Sequence, residues 1–357
     1  MKVAYYVTAH GYGHGVRSCD NINALYASDP ELELELISDL PTDFFVSRLG
    51  HNRFRQHRRI FDLGMVQLDS VRVDIPATLK RVQTLLGDWD TRLDAETDWL
   101  KTEAPDVVVA DVPAIPIEAA HQAGVRSVGV GNFSWDWIYQ EFVAGNSAWQ
   151  PAIDRFQTAY AKADLGLQLL FSGPLPFPNQ VEIPLLAKPG KARRQDIATI
   201  CGADPKRRWV LLSFSTIEWD AASVARAIEG SDCELFSLRP LEWPGSGIHA
   251  LDRNEIEVSD VFSSVDAVLT KPGFGVVSEC IANQKPIIYV DRESFRETPV
   301  LIEGIRRYLP HVEISAEALY QGEIGPSIDA IWQAATAPET VATGGAMLAA
   351  EAILGRA

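Results

Sequence analysis

Two histidines, His10 and His14, alternate with glycine in the run His10-Gly11-Tyr12-Gly13-His14-Gly15. An imidazole titrates near neutrality, so either ring can take a proton from a hydroxyl or hold a phosphate. A second glycine-rich run lies in the far half of the chain, Thr270-Lys271-Pro272-Gly273-Phe274-Gly275-Val276-Val277-Ser278-Glu279. Glycines at a strand-to-helix turn let the backbone approach a ligand closely, and a helix N-terminus offers N–H groups to an anion. Glu279 falls one turn inside that helix, where a carboxylate can accept two hydroxyls of a sugar or ribose. The second run therefore reads as a nucleotide-diphosphate site. The plain alternative for both runs is helix capping and loop hydrogen bonding.

Each run needs a strand before it and a helix after it. Lys2–Thr8 is apolar, and a helical pattern follows His14 as far as Tyr26. Val265–Leu269 is likewise strand-like, with helix from Val276 to Asn283 and a further strand at Pro286–Val290 ahead of Asp291-Arg292-Glu293. There is no Gly-Lys-Ser/Thr, so neither run is an ATPase P-loop, and Ser18 breaks a Gly-x-Gly-x-x-Gly dinucleotide pattern. Other expected strands are Leu32–Ser38, Val107–Ala110, Ser127–Val130, Val210–Phe214 and Glu234–Leu238. Helical patterns cover Ile75–Lys101 and Ile115–Ala123. Near-continuous apolar strands separated by helices imply parallel sheets covered on both faces. Alternating Leu and Glu in Leu32–Leu36 predicts an edge or half-exposed strand. The proline-rich stretch from Phe171 to Ala192 marks a boundary. The expected organisation is an α/β chain of two Rossmann-like doubly wound domains, residues 1–180 and 193–335, facing a cleft. A last helix in 336–357 is expected to pack back on the first domain.

Composition narrows the function. A formal charge of −16 over 357 residues argues against a nucleic-acid polymer as partner. The basic run Arg53-Phe54-Arg55-Gln56-His57-Arg58-Arg59 reads as a solvated helix face rather than an anion site. No apolar stretch reaches the ~20 residues that span a bilayer, and no signal-peptide pattern precedes the first strand. A cytoplasmic protein with weak or no membrane association is expected. Cys19, Cys201, Cys233 and Cys280 are scattered without metal or redox spacing. Asp88-Trp89-Asp90 spells a metal-chelating triplet but lies within a helical pattern, where i and i+2 face different ways. No metal and no tightly held cofactor are expected.

These residues resemble the GT-B glycosyltransferases, built from two Rossmann-like domains. The likeness extends over nearly the whole chain to the glycosyltransferase-like N-terminal region of plant L-arabinokinases and its bacterial standalone relatives. It rests on the two glycine runs, on Val66-Gln67-Leu68-Asp69-Ser70, on Asn132-Phe133-Ser134-Trp135-Asp136-Trp137-Ile138-Tyr139, and on Asp291-Arg292-Glu293-Ser294-Phe295-Arg296-Glu297-Thr298-Pro299. The kinase domain of the plant proteins has no counterpart here, so sugar phosphorylation is not implied. What the resemblance implies is a hexosyl- or pentosyltransferase using a nucleotide-diphosphate sugar, with UDP the expected nucleotide, and an acceptor that stays open. Backbone N–H groups of Gly273, Phe274 and Gly275 would hold the diphosphate, with the Ser278 hydroxyl beside them and Glu279 on the ribose. Ser213 would lie in a second phosphate-contacting loop, and Lys271 would neutralise charge. Asp291 and Glu297 are the nearest polar candidates for reading sugar hydroxyls. On the acceptor side Gly11 and Gly13 shape the loop, and His10 or His14 is the base. Asp111, at a carboxyl strand end, orients a histidine or serves as base itself. Trp135 and Asp136 would line the cleft against the sugar.

The chemistry expected is metal-independent transfer, inverting at the anomeric carbon. Two other readings use the same residues: a nucleotide-sugar epimerase with Asp111 and Glu297 on either side of the sugar, and a sugar-nucleotide sensor without turnover.

Overall fold

The computed structural model describes residues 1–253, 255–291 and 295–356. Arg292, Glu293 and Ser294, named above in the resemblance, lie outside the described residues. The chain divides into two compact units. The first comprises Met1–Val66, Asp74–Leu186 and Ala342–Ala357, and the second Gln67–Val73 and Ala187–Val341.

The first unit holds a parallel seven-stranded sheet of order β3-β2-β1-β4-β5-β6-β7. Its strands are β1 (Lys2–Val7), β2 (Glu33–Ile37), β3 (Arg55–His57), β4 (Val107–Asp111), β5 (Arg126–Gly131), β6 (Leu165–Leu169) and β7 (Gln180–Ile183). Val3–Val7 of β1, including Tyr5 and Tyr6, and all of β4 are buried at the sheet centre. Each is covered on both faces, which is why these strands read as continuous apolar runs. The helix Gly345–Ile353 belongs to this unit, and Arg126 donates to the carbonyls of Ala352 and Ile353 near its end.

The second unit holds a parallel six-stranded sheet of order β10-β9-β8-β11-β12-β13. Its strands are β8 (Trp209–Ser213), β9 (Glu234–Leu238), β10 (His249–Leu251), β11 (Ala267–Thr270), β12 (Ile287–Val290) and β13 (His311–Ile314). One core cluster gathers Val210, Leu212, Leu235, Leu269, Ile288 and Val290 with Val71, a residue from the short Gln67–Val73 segment.

In both sheets strand order reverses beside the first strand of the unit, between β1 and β4 and between β8 and β11. The carboxyl ends on either side of such a reversal flank a crevice, because the following chain departs to opposite faces. Val7 pairs with Asp111 at one reversal, and Ser213 with Thr270 at the other. Both glycine runs begin at these strand ends.

Three expectations change. Leu32–Leu36 does not form an edge strand, since β2 lies between β1 and β3. Its buried Glu35 is compensated, accepting from Arg55 Nε at 2.7 Å and facing His57 Nε2 at 2.7 Å. The basic run is therefore not a helix face. Its centre is the edge strand β3, and its charges are spent on Glu35, Glu103, Asp39 and Glu96. The helical pattern that runs through Asp88-Trp89-Asp90 is broken there into two helices, Ile75–Gly87 and Trp89–Glu103, meeting at Asp88. Among the described residues no helix is long and apolar enough to cross a membrane.

Candidate functional site

The first glycine run leaves β1 and enters the helix Tyr12–Ser28, with Gly11 as its extended N-cap. Gly13, His14 and Gly15 are already helical. A Cβ on Gly15 would stand 2.6 Å from the Phe44 ring, so this glycine serves close packing. Gly11 meets nothing within 4 Å and has an extended φ of −169°, so neither packing nor backbone requires glycine there.

Beneath this loop sits a buried polar network. Asp111, at the end of β4, is fully buried, and its two oxygens are occupied. Arg17 Nε donates to Oδ2 at 2.8 Å and Nη2 to Oδ1 at 2.5 Å, while the Ser18 hydroxyl donates to Oδ2 at 2.9 Å. Arg17 Nη1 donates to Asn132 Oδ1 at 2.6 Å. His14 Nδ1 lies 3.0 Å from Asp111 Oδ1 and 2.9 Å from Arg17 Nη2. Burial alone would push the Asp111 carboxyl up, but the Arg17 charge and the hydrogen bonds from Arg17 hold it well below the usual carboxylate range. Asp111 is thus a permanent anion that acts through His14 and Arg17. Burial and the neighbouring guanidinium both lower the pKa of His14, so this ring is neutral at pH 7.

His10 is held differently. Its Nδ1 is 2.8 Å from Thr8 Oγ1, whose hydroxyl donates to Asp62 Oδ1 at 2.6 Å. Trp135 Nε1 donates to Asp62 Oδ2 at 3.0 Å. Asp62 is buried, and desolvation raises its pKa to about 6. The His10 and His14 rings lie with centroids 4.6 Å apart, and both contact Phe133. Gly64, at φ 61°, backs His10 so closely that a Cβ would fall 2.5 Å from the histidine Cβ. Val112, just past Asp111, adopts φ 83°, a strained conformation for a β-branched residue. The Tyr160 hydroxyl donates to its carbonyl at 2.7 Å.

Trp135 and Asp136 do not line an open surface. Trp135 is 0 % exposed, stacked on Tyr139 and edge-on to His10 and Phe133. It reaches the histidine loop through Asp62. Asp136 is buried, and burial raises its pKa.

In the second unit, Gly273 is the extended N-cap of the helix Phe274–Ala282. Its φ of −149° suits any residue, and a Cβ there would meet nothing within 4 Å. Glycine at this position is explained by neither strain nor packing. Ser278 and Glu279 are buried in this helix, and Ser278 Oγ has no hydrogen-bond partner. Asn283 Nδ2 donates to Glu279 Oε2 at 3.3 Å. A buried hydroxyl without a partner in the chain is left to bond a water or a ligand. Ser134 in the first unit and Thr298, in the first turn of the helix Thr298–Tyr308, carry two more such hydroxyls. Glu297, its N-cap, is buried, and Asp291 is exposed beyond β12. Lys271 follows β11. Ser213 ends β8, and its carbonyl accepts from Thr270 Oγ1 at 2.8 Å.

The loop after Ser213 is tied down by a segment from the N-terminal half. Ser70 Oγ accepts from Thr216 N–H at 2.9 Å and lies 3.1 Å from Ser215 Oγ. Asp69 caps the same segment and accepts from the Tyr320 hydroxyl at 2.9 Å. Among the described residues, no three His, Cys, Asp or Glu side chains group as a metal site would require. In Asp88-Trp89-Asp90, Trp89 is buried and donates to Glu118, not toward a cation.

Sequence reasoning missed Arg17, Thr8, Asp62, Gly64 and Ser70. Arg17 stands one helical turn past His14, a spacing that could have linked them. Ser70 belonged to a quoted motif without a role. Nothing local pointed to Asp62.

No family model matches the chain. L-arabinokinase of Arabidopsis thaliana is 29% identical over 339 residues, which cover 92% of this chain and 32% of that protein. The chain thus spans about a third of the length of this curated relative. Among solved structures, Arabidopsis thaliana UGT89C1 complexed with UDP superposes with a TM-score of 0.62 at 12% identity, covering 99% of this chain and 98% of that one. Glycosyltransferase VinC in complex with dTDP gives a TM-score of 0.56 at 13% identity over 100% and 95% of the two chains. With its two parallel-sheet units, the chain has the GT-B fold of these glycosyltransferases.

Proposed function

We propose that this protein is a glycosyltransferase that moves a sugar from a nucleotide-diphosphate sugar to a hydroxyl acceptor. The helix after Gly273 would bind the donor, and a histidine of the His10–His14 loop would take the acceptor's proton. One observation carries the reading. The helix after Gly273 begins at a glycine that the chain's own packing does not require, and a buried hydroxyl without a partner follows at Ser278. An anion at a helix N-terminus, with a hydroxyl donor beside it, is what a diphosphate needs. The Arabidopsis relative and the UDP- and dTDP-bound neighbours support it.

In this reading the leaving diphosphate is stabilised by backbone N–H groups, Lys271 and the helix dipole, so transfer proceeds without a metal. Attack from the face opposite the diphosphate gives inversion, with one histidine removing the hydroxyl proton. Epimerisation is less favoured, because the solved neighbours are transferases. A sensor that binds without turnover is the remaining alternative.

The test is nucleoside-diphosphate release from a panel of UDP- and dTDP-sugars, with and without a set of simple hydroxyl acceptors. Acceptor-dependent release, unaffected by chelator and lost when both histidines become glutamine, supports transfer. Release without acceptor points to hydrolysis, conversion of the donor to another nucleotide sugar without release to epimerisation, and binding without either to a sensor.

A further inference from the structure

The two histidines of the loop differ in where their protons must sit. At His10 the count starts from Thr8, whose hydroxyl has one proton. Asp62 is a carboxylate acceptor at 2.6 Å, and its other oxygen already accepts from Trp135. The Thr8 proton therefore goes to Asp62, and toward His10, at 2.8 Å, Thr8 Oγ1 can only accept. His10 Nδ1 must carry the ring proton. In the neutral ring Nε2 is then the basic nitrogen.

At His14 the count runs the other way. Asp111 has donors on both oxygens without help from histidine, two from Arg17 and one from Ser18. Arg17 Nη2 has two protons and does not give them up. One lies on Asp111 Oδ1 at 2.5 Å, and the other faces His14 Nδ1 at 2.9 Å. A proton on Nδ1 would leave two donors pointing at each other in a buried site, and a buried donor without an acceptor is costly. Nδ1 is the acceptor for Arg17, so the ring proton sits on Nε2. A carboxylate beside a histidine ordinarily draws the proton to the near nitrogen; here the guanidinium wedged against both groups reverses that preference.

We propose that His10 and His14 are held in opposite tautomers, His10 as the base through Nε2 and His14 as a hydrogen-bond donor through Nε2–H. Arg17, Thr8 and Asp62 are the positioning residues that set them. The division of roles rests on the transferase reading, whereas the tautomers do not. In the transfer step the acceptor O–H proton moves to His10 Nε2 as the acceptor oxygen bonds to the anomeric carbon. The bond from that carbon to the diphosphate oxygen breaks, and its electron pair leaves with the nucleoside diphosphate. His10 becomes an imidazolium whose Nδ1–H is held by Thr8 and the Asp62 carboxylate, and it returns its proton to water after product leaves. His14 donates to a ligand oxygen throughout and neither gains nor loses a proton.

The direct test is long-range proton–nitrogen NMR on protein labelled with 15N-histidine, with the His10→Gln and His14→Gln variants assigning the two rings. The expected spectrum has the proton on Nδ1 of His10 and on Nε2 of His14. Arg17→Met should move the His14 proton to Nδ1. Arg17→Lys, which keeps the charge but cannot fork across two acceptors, should do the same in a protein more certain to fold. A wild-type spectrum with His14 protonated at Nδ1 overturns the proposal, whatever the activity. For transfer, His10→Gln should lower kcat by about 10²–10⁴-fold, the usual worth of a general base. His14→Gln, which keeps an N–H donor near the Nε2 position, should cost no more than about tenfold, the worth of one hydrogen bond. The reverse ranking would overturn the division of roles.

Discussion

Removing the Asp111 carboxylate should be among the most damaging single changes in the first unit, and removing Arg17 with it should be far less damaging than the two losses added. Both side chains are buried, and the pair is joined by bonds of 2.8 and 2.5 Å. A surface pair of this kind is worth about 0–1 kcal/mol, but breaking a buried one strands a charge and costs about 3–5 kcal/mol. Asp111→Ala leaves the guanidinium without its carboxylate, and Arg17→Met leaves the carboxylate with only His14 and Ser18. Each should therefore cost about 3–5 kcal/mol at pH 7. The double variant strands no charge, and its loss should stay near that of either single one, a coupling of about 3 kcal/mol. The pH is chosen with the sign in mind. The folded pKa of Asp111 is depressed, so its contribution is full above the unfolded value near ~3.9 and fades as pH falls through the folded one. With two units, a single unfolding curve is not a safe measure. Native-state hydrogen exchange of the peptide containing Val107–Asp111 reads the first unit alone. Strict additivity, or single losses under about 1 kcal/mol, would refute the reasoning.

Further expectations follow from individual contacts. Asp62 has a raised folded pKa of about 6, so the stability it contributes is full below its unfolded value and is lost as pH rises through 6. Relative to wild type, Asp62→Asn should gain up to about 3 kcal/mol between pH 4 and pH 7, measured by the same exchange method; a constant difference across that range would contradict the shift. Gly64→Ala places a methyl 2.5 Å from His10 Cβ at φ 61°. It should displace the His10 ring signals and cost about 1–2 kcal/mol, and unchanged His10 signals would show that the ring is not braced there. Ser70→Ala should speed amide exchange at Thr216 and cost about 0.5–1.5 kcal/mol, because the N–H of this exposed residue loses its side-chain acceptor.

The centre of each sheet was legible because apolar strands and intervening helices are local patterns. Val107–Val109 and Val268–Leu269 could hardly be anything but buried parallel strands. Positions decided by distant residues were not legible. Glu35 looks like a solvent-facing residue until Arg55 and His57 arrive beside it from twenty residues on. β7 hides in the proline-rich stretch because it is an outer strand, where flanking prolines cost no ladder bond. The site divides the same way. His10, His14 and Gly273 announce themselves by type and spacing, and Asp111 by its strand end. Arg17, Asp62 and Ser70 matter through partners that the fold brings from 94, 54 and 145 residues away. The burial of Trp135 is not legible, because an aromatic ring is ambiguous between core and surface until its neighbours are known.

The most direct measurement is a thermal-shift titration with UDP and with dTDP on the wild type and on Gly273→Val. The substitution should leave the ligand-free fold within about 1 kcal/mol, since a Cβ at this extended N-cap meets nothing in the chain. Ligand at a hundred times its dissociation constant should stabilise the wild type by about 2.7 kcal/mol. The expected result is a clear shift with one of the two nucleotides in the wild type and none in Gly273→Val. No shift with either nucleotide, or equal shifts in both proteins, would contradict a donor site at the helix that begins with Phe274.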